Sequence, residues 1–201
     1  MTIKNIVFDF GGVLIDWNPI YLYKSVFADK LEMDYFLKVI CSPEWNLKQD
    51  EGHSLSEATK ELQLLQPKYK NEIELFYKDW IKMIGGDIPE NSKLIESLKT
   101  NYRLFGLSNW SAETFPQIFD RYSFFKDLEG IVLSGQEKRL KPDKGLYEIL
   151  LNRYGLQANE SLFIDDNKNN ILTAKELGFF TIHLAEGVCL EKELIHFHCN
   201  L

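Results

Sequence analysis

Beyond Gly85 the sequence alternates apolar runs of strand length with segments of helical period, and this alternation constrains the fold more than any other feature. Helices are expected near Asn91–Thr100, Ala112–Arg121, Lys144–Tyr154 and Asn169–Leu177, the last stopped by Gly178. Strands are expected at Arg103–Leu107, Gly130–Leu133, Ser161–Ile164 and Phe179–His183. Strands joined through helices run parallel, and a parallel sheet needs cover on both faces. The expected class is therefore α/β, a Rossmann-like parallel sheet with helices on both faces. One more buried strand, Ile3–Phe8, stands far from the others, because Pro19 to Ile84 contains no convincing strand. Within that stretch Leu55, Ala58, Leu62 and Leu65 share one helical face, and Ser54 followed by Glu57 has capping-box spacing. Residues 1–16 and 85–201 are thus expected to form the α/β core, and 17–84 an inserted α-helical cap subdomain.

Composition narrows the partners. The 201 residues are 45% hydrophobic and 26% charged, the balance of a globular chain able to bury a core. A formal charge of −7 disfavours nucleic acid and anionic lipid as partners, although an acidic chain can still hold a phosphate in a local positive pocket. No apolar run reaches membrane-spanning length, and Asp9 with Gly11 and Gly12 interrupts the stretch where a signal peptide needs an apolar core. Cys41, Cys189 and Cys199 show neither metal-type spacing nor an even count, so a reducing cytoplasm is the expected compartment. Nothing in the pattern fixes an oligomeric state.

In parallel α/β sheets, ligands bind beyond the carboxyl ends of the strands, where loops and helix N-termini gather. Four polar clusters fall at such ends: Asp9 after the first strand, Ser108-Asn109 after YRLFGL, Lys141 beyond GIVL, and Asp165-Asp166 after SLFI. Taken singly, most have ordinary readings. Asp9 alone would be a turn or cap residue, Ser108-Asn109 a helix N-cap, and Lys141 a solvated loop lysine. Adjacent Asp165 and Asp166 resist that reading, since neighbouring carboxylates repel unless a cation or donors compensate them. Carboxylates, a lysine and a hydroxyl gathered at one edge imply a charged site, and the oxygen donors suit a hard cation such as magnesium.

These residues also carry a resemblance. FDFGGVLID (Phe8–Asp16), LSNW (Leu107–Trp110), RLKP (Arg139–Pro142) and FIDDN (Phe163–Asn167) resemble, in order, the four motifs of the haloacid dehalogenase superfamily. The likeness is nearest the branch with a helical cap after the first strand, which includes glucose-1-phosphatase-like small-molecule phosphatases. It implies a Mg2+-dependent phosphomonoesterase acting on a small phosphorylated metabolite, with a sugar phosphate as the expected substrate. Asp9 would be the nucleophile and a metal ligand, with the Gly11 carbonyl and Asp166 completing the protein's share of coordination. Ser108 and the Asn109 backbone would bind phosphate, Lys141 would offset the charge of nucleophile and phosphate, and Asp165 would orient its neighbours. Such a set screens the repulsion between carboxylate and phosphate and splits hydrolysis into two steps through an aspartyl-phosphate.

One position departs from the pattern. Most phosphatases of the superfamily carry an aspartate two residues after the nucleophile as acid and base, and this chain has Gly11. A proton-transfer contribution of about 10²–10⁴ in rate must then come from elsewhere or be forgone. Asp16, His53 or the substrate are the available substitutes, although Asp16 could instead cap the first cap helix. A glycine here is shared by glucose-1-phosphatase-like members, which keeps hydrolysis on the table. Two other classes stay open: a metal-independent, dehalogenase-type hydrolase, and a non-catalytic phospho-ligand-binding member. A phosphomutase is disfavoured by Gly11. In the cap, Trp17, Trp45, Trp80 and Tyr77 read as packing, and Trp45–His53 reads as a polar loop able to close over the site and choose the substrate.

Overall fold

Five short apolar strands meet in one parallel sheet. The fold is a computed structural model that describes residues 2–201. In chain order the strands are β1 (Asn5–Phe8), β2 (Ile15–Trp17), β3 (Ile84–Asp87), β4 (Arg103–Ser108), β5 (Gly130–Leu133), β6 (Ser161–Asp165) and β7 (Phe180–His183). The main sheet runs β5-β4-β1-β6-β7, with Phe8 opposite Gly106 on one side and Ile164 on the other. All five strands point the same way, so their carboxyl ends form a single edge, and β1 lies at its centre.

Strand alternation divides the core into two layers. Val7, Phe105, Leu107, Val132 and Phe163 face the helices Lys144–Tyr154 and Lys168–Glu176, which contribute Leu146, Tyr147, Leu150, Ile171 and Ala174. Ile6, Phe8, Leu104, Leu162 and Ile164 face the other way, toward Leu94–Leu98 and Leu190–His196. Ile6, Val7 and Phe8 have no exposed surface, and burial of each is worth roughly 1.5–3 kcal/mol. The sheet with helices on both faces is the expected α/β class. Helix Lys144–Tyr154 has the expected bounds because Asp143 accepts from Gly145 N at 2.6 Å and Gly155 ends it at φ 64°.

Elsewhere the chain differs from expectation. The helix expected over Ala112–Arg121 is reduced to Pro116–Phe119, since Pro116 offers no N–H to an earlier turn. Asn91–Thr100 is split into Pro89–Ser92 and Leu94–Leu98. Ser134–Glu137 and Leu190–His196 are helices that no periodicity marked. An unexpected antiparallel ribbon, β2 with β3, stands where the chain leaves and re-enters the core, so Trp17 and Ile84 are ribbon residues.

The segment between β2 and β3 is helical: Ile20–Tyr23, Lys30–Tyr35 running into a wider turn over Phe36–Ile40, Pro43–Asp50, Leu55–Leu65 and Lys70–Lys78. Tyr23, Phe36 and Phe76 pack at its centre, with Trp45 edge-on to Phe76. Ser54 caps Leu55–Leu65 through Glu57 N at 3.3 Å, as its spacing implied. Leu65 does not join the buried face, being 74% exposed. Trp45–Asp50 is helix rather than loop, because Ser42 accepts from Trp45 N and starts a helix with Pro43 in its first turn, and only Glu51–His53 is left as a turn. Among the described residues no helix is long and apolar enough to cross a membrane.

Candidate active site

Asp9 sits at the carboxyl end of the central strand, its N–H held by the Ile164 carbonyl at 2.9 Å. Three donors converge on one of its oxygens: Oδ1 accepts from Phe10 N at 2.7 Å and Ser108 Oγ at 2.6 Å, and lies 2.9 Å from Lys141 Nζ. Oδ2 has no donor among the described residues. Burial pushes the Asp9 carboxyl up to about 6, opposed by the nearby Lys141 ammonium.

Lys141 is fully enclosed, and its three N–H groups go to Asp9 Oδ1, Asp165 Oδ2 at 2.7 Å and the Leu107 carbonyl at 2.8 Å. It can therefore reach a phosphate by its charge without a free donor. Burial pulls its pKa down, but the charges of Asp165 and Asp9 beside it outweigh that and raise it. Asn109 pins the lysine from the backbone side, its Oδ1 accepting from Lys141 N at 2.8 Å and its Nδ2 donating to Lys141 O at 3.0 Å. The side chain is thus occupied, which leaves Asn109 its backbone N–H for an anion. Asp165 is wholly buried and saturated, accepting from Lys141, from Asn167 N at 2.7 Å and from Asn170 Nδ2 on both oxygens. Asn170 sits one helical turn after FIDD, and its role in holding Asp165 carried no signal in the sequence.

Asp9, Asp165 and Asp166 each present an oxygen within 4.8 Å of the others. With Asp165 saturated, the oxygens able to meet a cation come from Asp9 and Asp166, joined by the Gly11 carbonyl, which accepts no hydrogen bond among the described residues. An all-oxygen, partly protein-supplied set fits Mg2+, which keeps several waters. Burial and the charge of Asp9 raise the Asp166 carboxyl. Its carbonyl lies 2.9 Å from His183 Nε2. Gly12 makes room for Asp166: φ is +72°, and a Cβ there would fall 2.5 Å from Asp166 Oδ2. At Gly11, by contrast, a Cβ would meet nothing within 4 Å.

That open space belongs to a cavity of about 160 Å³ between the helical insertion and the sheet edge. Gly11, Asn109, Trp110 and Thr114 line it from the core, and Trp17, Asn46, Asp50 and Trp80 from the ribbon and insertion. Trp17 and Trp80 pack into the core as read from the sequence and also wall the cavity, and Trp45 and Tyr77 pack 5.4 Å apart. Asp50 docks the insertion onto the core: Oδ1 accepts from Ser111 N at 3.1 Å, and its carbonyl accepts from Ser134 Oγ. Burial pushes its carboxyl up to about 8. Of the proposed acid-base substitutes, Asp16 accepts from Tyr21 Oη at 2.6 Å and does not cap the first helix, where Asn18 accepts from Ile20 N. His53 lies outside the cavity, in a surface groove with Ser54 and Glu57.

The chain belongs to the haloacid dehalogenase-like hydrolase family, whose model matches residues 6–184. A sesquiterpene phosphatase of Aspergillus oryzae is 25% identical over 94% of this chain and 95% of its own length. A D-ribitol-5-phosphate phosphatase of Bacteroides thetaiotaomicron is 24% identical over 96% and 97%. A HAD family enzyme of Bacteroides thetaiotaomicron, solved in complex with magnesium and inorganic phosphate, superposes with a TM-score of 0.73 at 23% identity, covering 95% of this chain and 98% of that one. The chain is a phosphatase-like hydrolase of this family.

Proposed function

We propose that this member of the haloacid dehalogenase-like family is a Mg2+-dependent phosphatase that hydrolyses a small phosphorylated metabolite, a sugar phosphate by our reading, through an aspartyl-phosphate on Asp9. The observation that carries this is the asymmetry of Asp9: Oδ1 is held by Phe10 N, Ser108 and Lys141, while Oδ2 takes no donor among the described residues, in a carboxyl group that stands near Asp166. A nucleophile fixed through one oxygen is oriented for in-line attack by the other. Magnesium bound by Asp9, the Gly11 carbonyl and Asp166 supplies charge that screens the phosphate dianion from the attacking carboxylate. Relatives that are phosphatases over nearly their whole length, and a structural neighbour holding magnesium and phosphate, support the same reading.

In the first step the Asp9 Oδ2–P bond forms as the P–O bond to the alcohol breaks, and in the second water displaces Asp9 from phosphorus. Lys141 offsets the charge that gathers at Asp9, the Asn109 backbone N–H binds a phosphate oxygen, Ser108 joins it by turning its single O–H from Asp9 to the bound phosphate, and Asp165 positions Lys141. Residues 17–84 act as the cap that screens the site from water. The test is phosphate release from a panel of phosphorylated metabolites and an aryl phosphate, with magnesium or chelator, by wild type and Asp9→Asn. Release that needs both magnesium and Asp9 is expected. A metal-independent, carbon-attacking hydrolase is disfavoured because Asp166 beside Asp9 serves no purpose in it, and retained activity in chelator would revive it. Magnesium binding without any turnover would favour the non-catalytic, phospho-ligand-binding reading.

A further inference from the structure

Away from the ribbon, the insertion meets the core by hydrogen bonds only along residues 50–55 among the described residues, and their partners are Ser111, Glu113, Ser134 and Lys138. Two of these bonds bear on the backbone that follows Ser108-Asn109. Asp50 Oδ1 accepts from Ser111 N at 3.1 Å. The Asp50 carbonyl accepts from Ser134 Oγ, and that hydroxyl oxygen in turn accepts from Trp110 N at 2.9 Å. Ser111 is 2% exposed and Ser134 has no exposed surface, so a donor that lost its partner here would be left unpaired away from water. From below, Gly135 N donates to Trp110 O at 3.2 Å, and a Cβ on Gly135 would fall 2.5 Å from Ala112 N. The side chain of Asn109 is already tied to the Lys141 backbone.

We infer that Asp50 is a positioning residue for phosphate: by holding Ser111 N–H directly and Trp110 N–H through Ser134, it sets the turn that presents Asn109 N–H to the anion. The inference rests on the phosphatase reading and adds to it a residue of the insertion. Three successive N–H groups leave the end of β4, at 109, 110 and 111, and consecutive amides in a turn readily gather on an anion. Here the second and third are taken by Ser134 and Asp50, which leaves the first for phosphate and fixes the backbone beyond it. The strand holds the chain before Asn109, and the insertion holds it after. Asp50 itself is kept in place by Asn46, one helical turn earlier, whose Nδ2 donates to its Oδ2 at 2.8 Å. A segment far away in sequence thus completes the phosphate-binding turn without touching phosphate.

The test measures, by calorimetry, binding of magnesium and then of inorganic phosphate to the magnesium-loaded protein. Asp50→Ala should weaken phosphate by about 10-fold or more, the effect of stranding one buried donor. Magnesium affinity should stay within about twofold, since Asp50 makes no hydrogen bond to Asp9, Gly11 or Asp166 among the described residues. Asp50→Asn should bring phosphate affinity back to within about threefold of wild type, because burial pushes the Asp50 carboxyl up to about 8 and an amide copies the uncharged acid. Ser134→Ala cuts the other arm from the core side and should also weaken phosphate, and the two losses should combine to less than their sum, because both arms hold one turn. Glu113→Ala removes the bond to Leu55 N in the same patch and should change neither affinity by more than about twofold. Unchanged phosphate affinity in Asp50→Ala, magnesium and phosphate falling in step, an equal loss in Glu113→Ala, or a wild type that binds no phosphate would overturn the inference. If Asp50→Ala misfolds, Ser134→Ala decides by the same readings. A selective loss of phosphate sustains the inference even where no ester is hydrolysed, an outcome that sinks the phosphatase reading alone, and brisk turnover with phosphate affinity untouched by Asp50→Ala sinks only the inference.

Discussion

Replacing Lys141 by Met keeps the side-chain length and removes one charge and three donors. In the native chain the ammonium stands 2.9 Å from Asp9 Oδ1 and 2.7 Å from Asp165 Oδ2, with its side chain fully buried. At an effective dielectric of about 20, each contact is worth about 6 kcal/mol before desolvation. Withdrawing an ammonium from water costs several kcal/mol in return, and removing one partner from a buried ion cluster typically loses about 3–5 kcal/mol net. That is a large share of the roughly 5–15 kcal/mol that stabilises a domain. The two carboxylates left behind attract a proton or a cation. Urea unfolding in chelator should therefore show Lys141→Met less stable by about 3–5 kcal/mol at neutral pH, with the deficit shrinking as the solution is acidified. Magnesium should stabilise the variant more than wild type, because its ligands have lost a competing cation. A deficit under about 1 kcal/mol in chelator, or equal stabilisation of both proteins by magnesium, would refute the reasoning.

Three further outcomes follow from the site. Gly12→Ala forces a Cβ against Asp166 Oδ2 at a left-handed φ of +72°, so magnesium affinity by calorimetry should fall about 10- to 100-fold, and unchanged affinity would mean that Asp166 is not a ligand. In chelator, folded Asp9 keeps its proton from its ordinary value of 3.8 up to about 6, so its contribution makes stability fall as pH rises through that window, by at most about 1.4 kcal/mol per unit; magnesium binding below pH 6 should release a proton, seen as a buffer-dependent heat, and no release would contradict Asp9 ligation. Gly11→Asp enters open space and should raise turnover of alkyl phosphates by about 100-fold, with a much smaller gain on aryl phosphates whose leaving groups need no proton; equal gains on both would show that the new carboxyl acts otherwise than as an acid.

Much of this was legible in the sequence because the signals were local. Asp143 and Gly155 bound one helix by their own chemistry, GIVL was short and wholly apolar, and four polar clusters each followed a strand. A parallel sheet then brings such ends to one edge whatever lies between them. The remainder depended on contacts between distant segments. Ile15–Trp17 and Ile84–Asp87 are strands only because they pair across the insertion, and Gly85-Gly86 gave the second of them no strand character. WNLKQDEGH looked like a loop for its polarity, yet its first six residues are helical, with Asp50 meeting the core, Trp45, Asn46 and Gln49 meeting Tyr77 inside the insertion, and Leu47 and Lys48 exposed. Trp17, Trp80 and Trp110 could not be told from packing because they do pack, and their second part as cavity walls depends on contacts between the insertion and the core. Asn170 closes the bonding of Asp165 from the next helical turn, a contact that spacing alone does not announce.

The covalent intermediate is the most direct test of the central claim. Enzyme mixed with a turned-over phosphate ester and magnesium, quenched in acid within a single turnover and mapped by mass spectrometry, should carry a phosphoryl group on the peptide containing Asp9. That label should vanish in chelator and in Asp9→Asn. Turnover with no phosphoryl group on that peptide, or a label that persists in Asp9→Asn, would contradict the account.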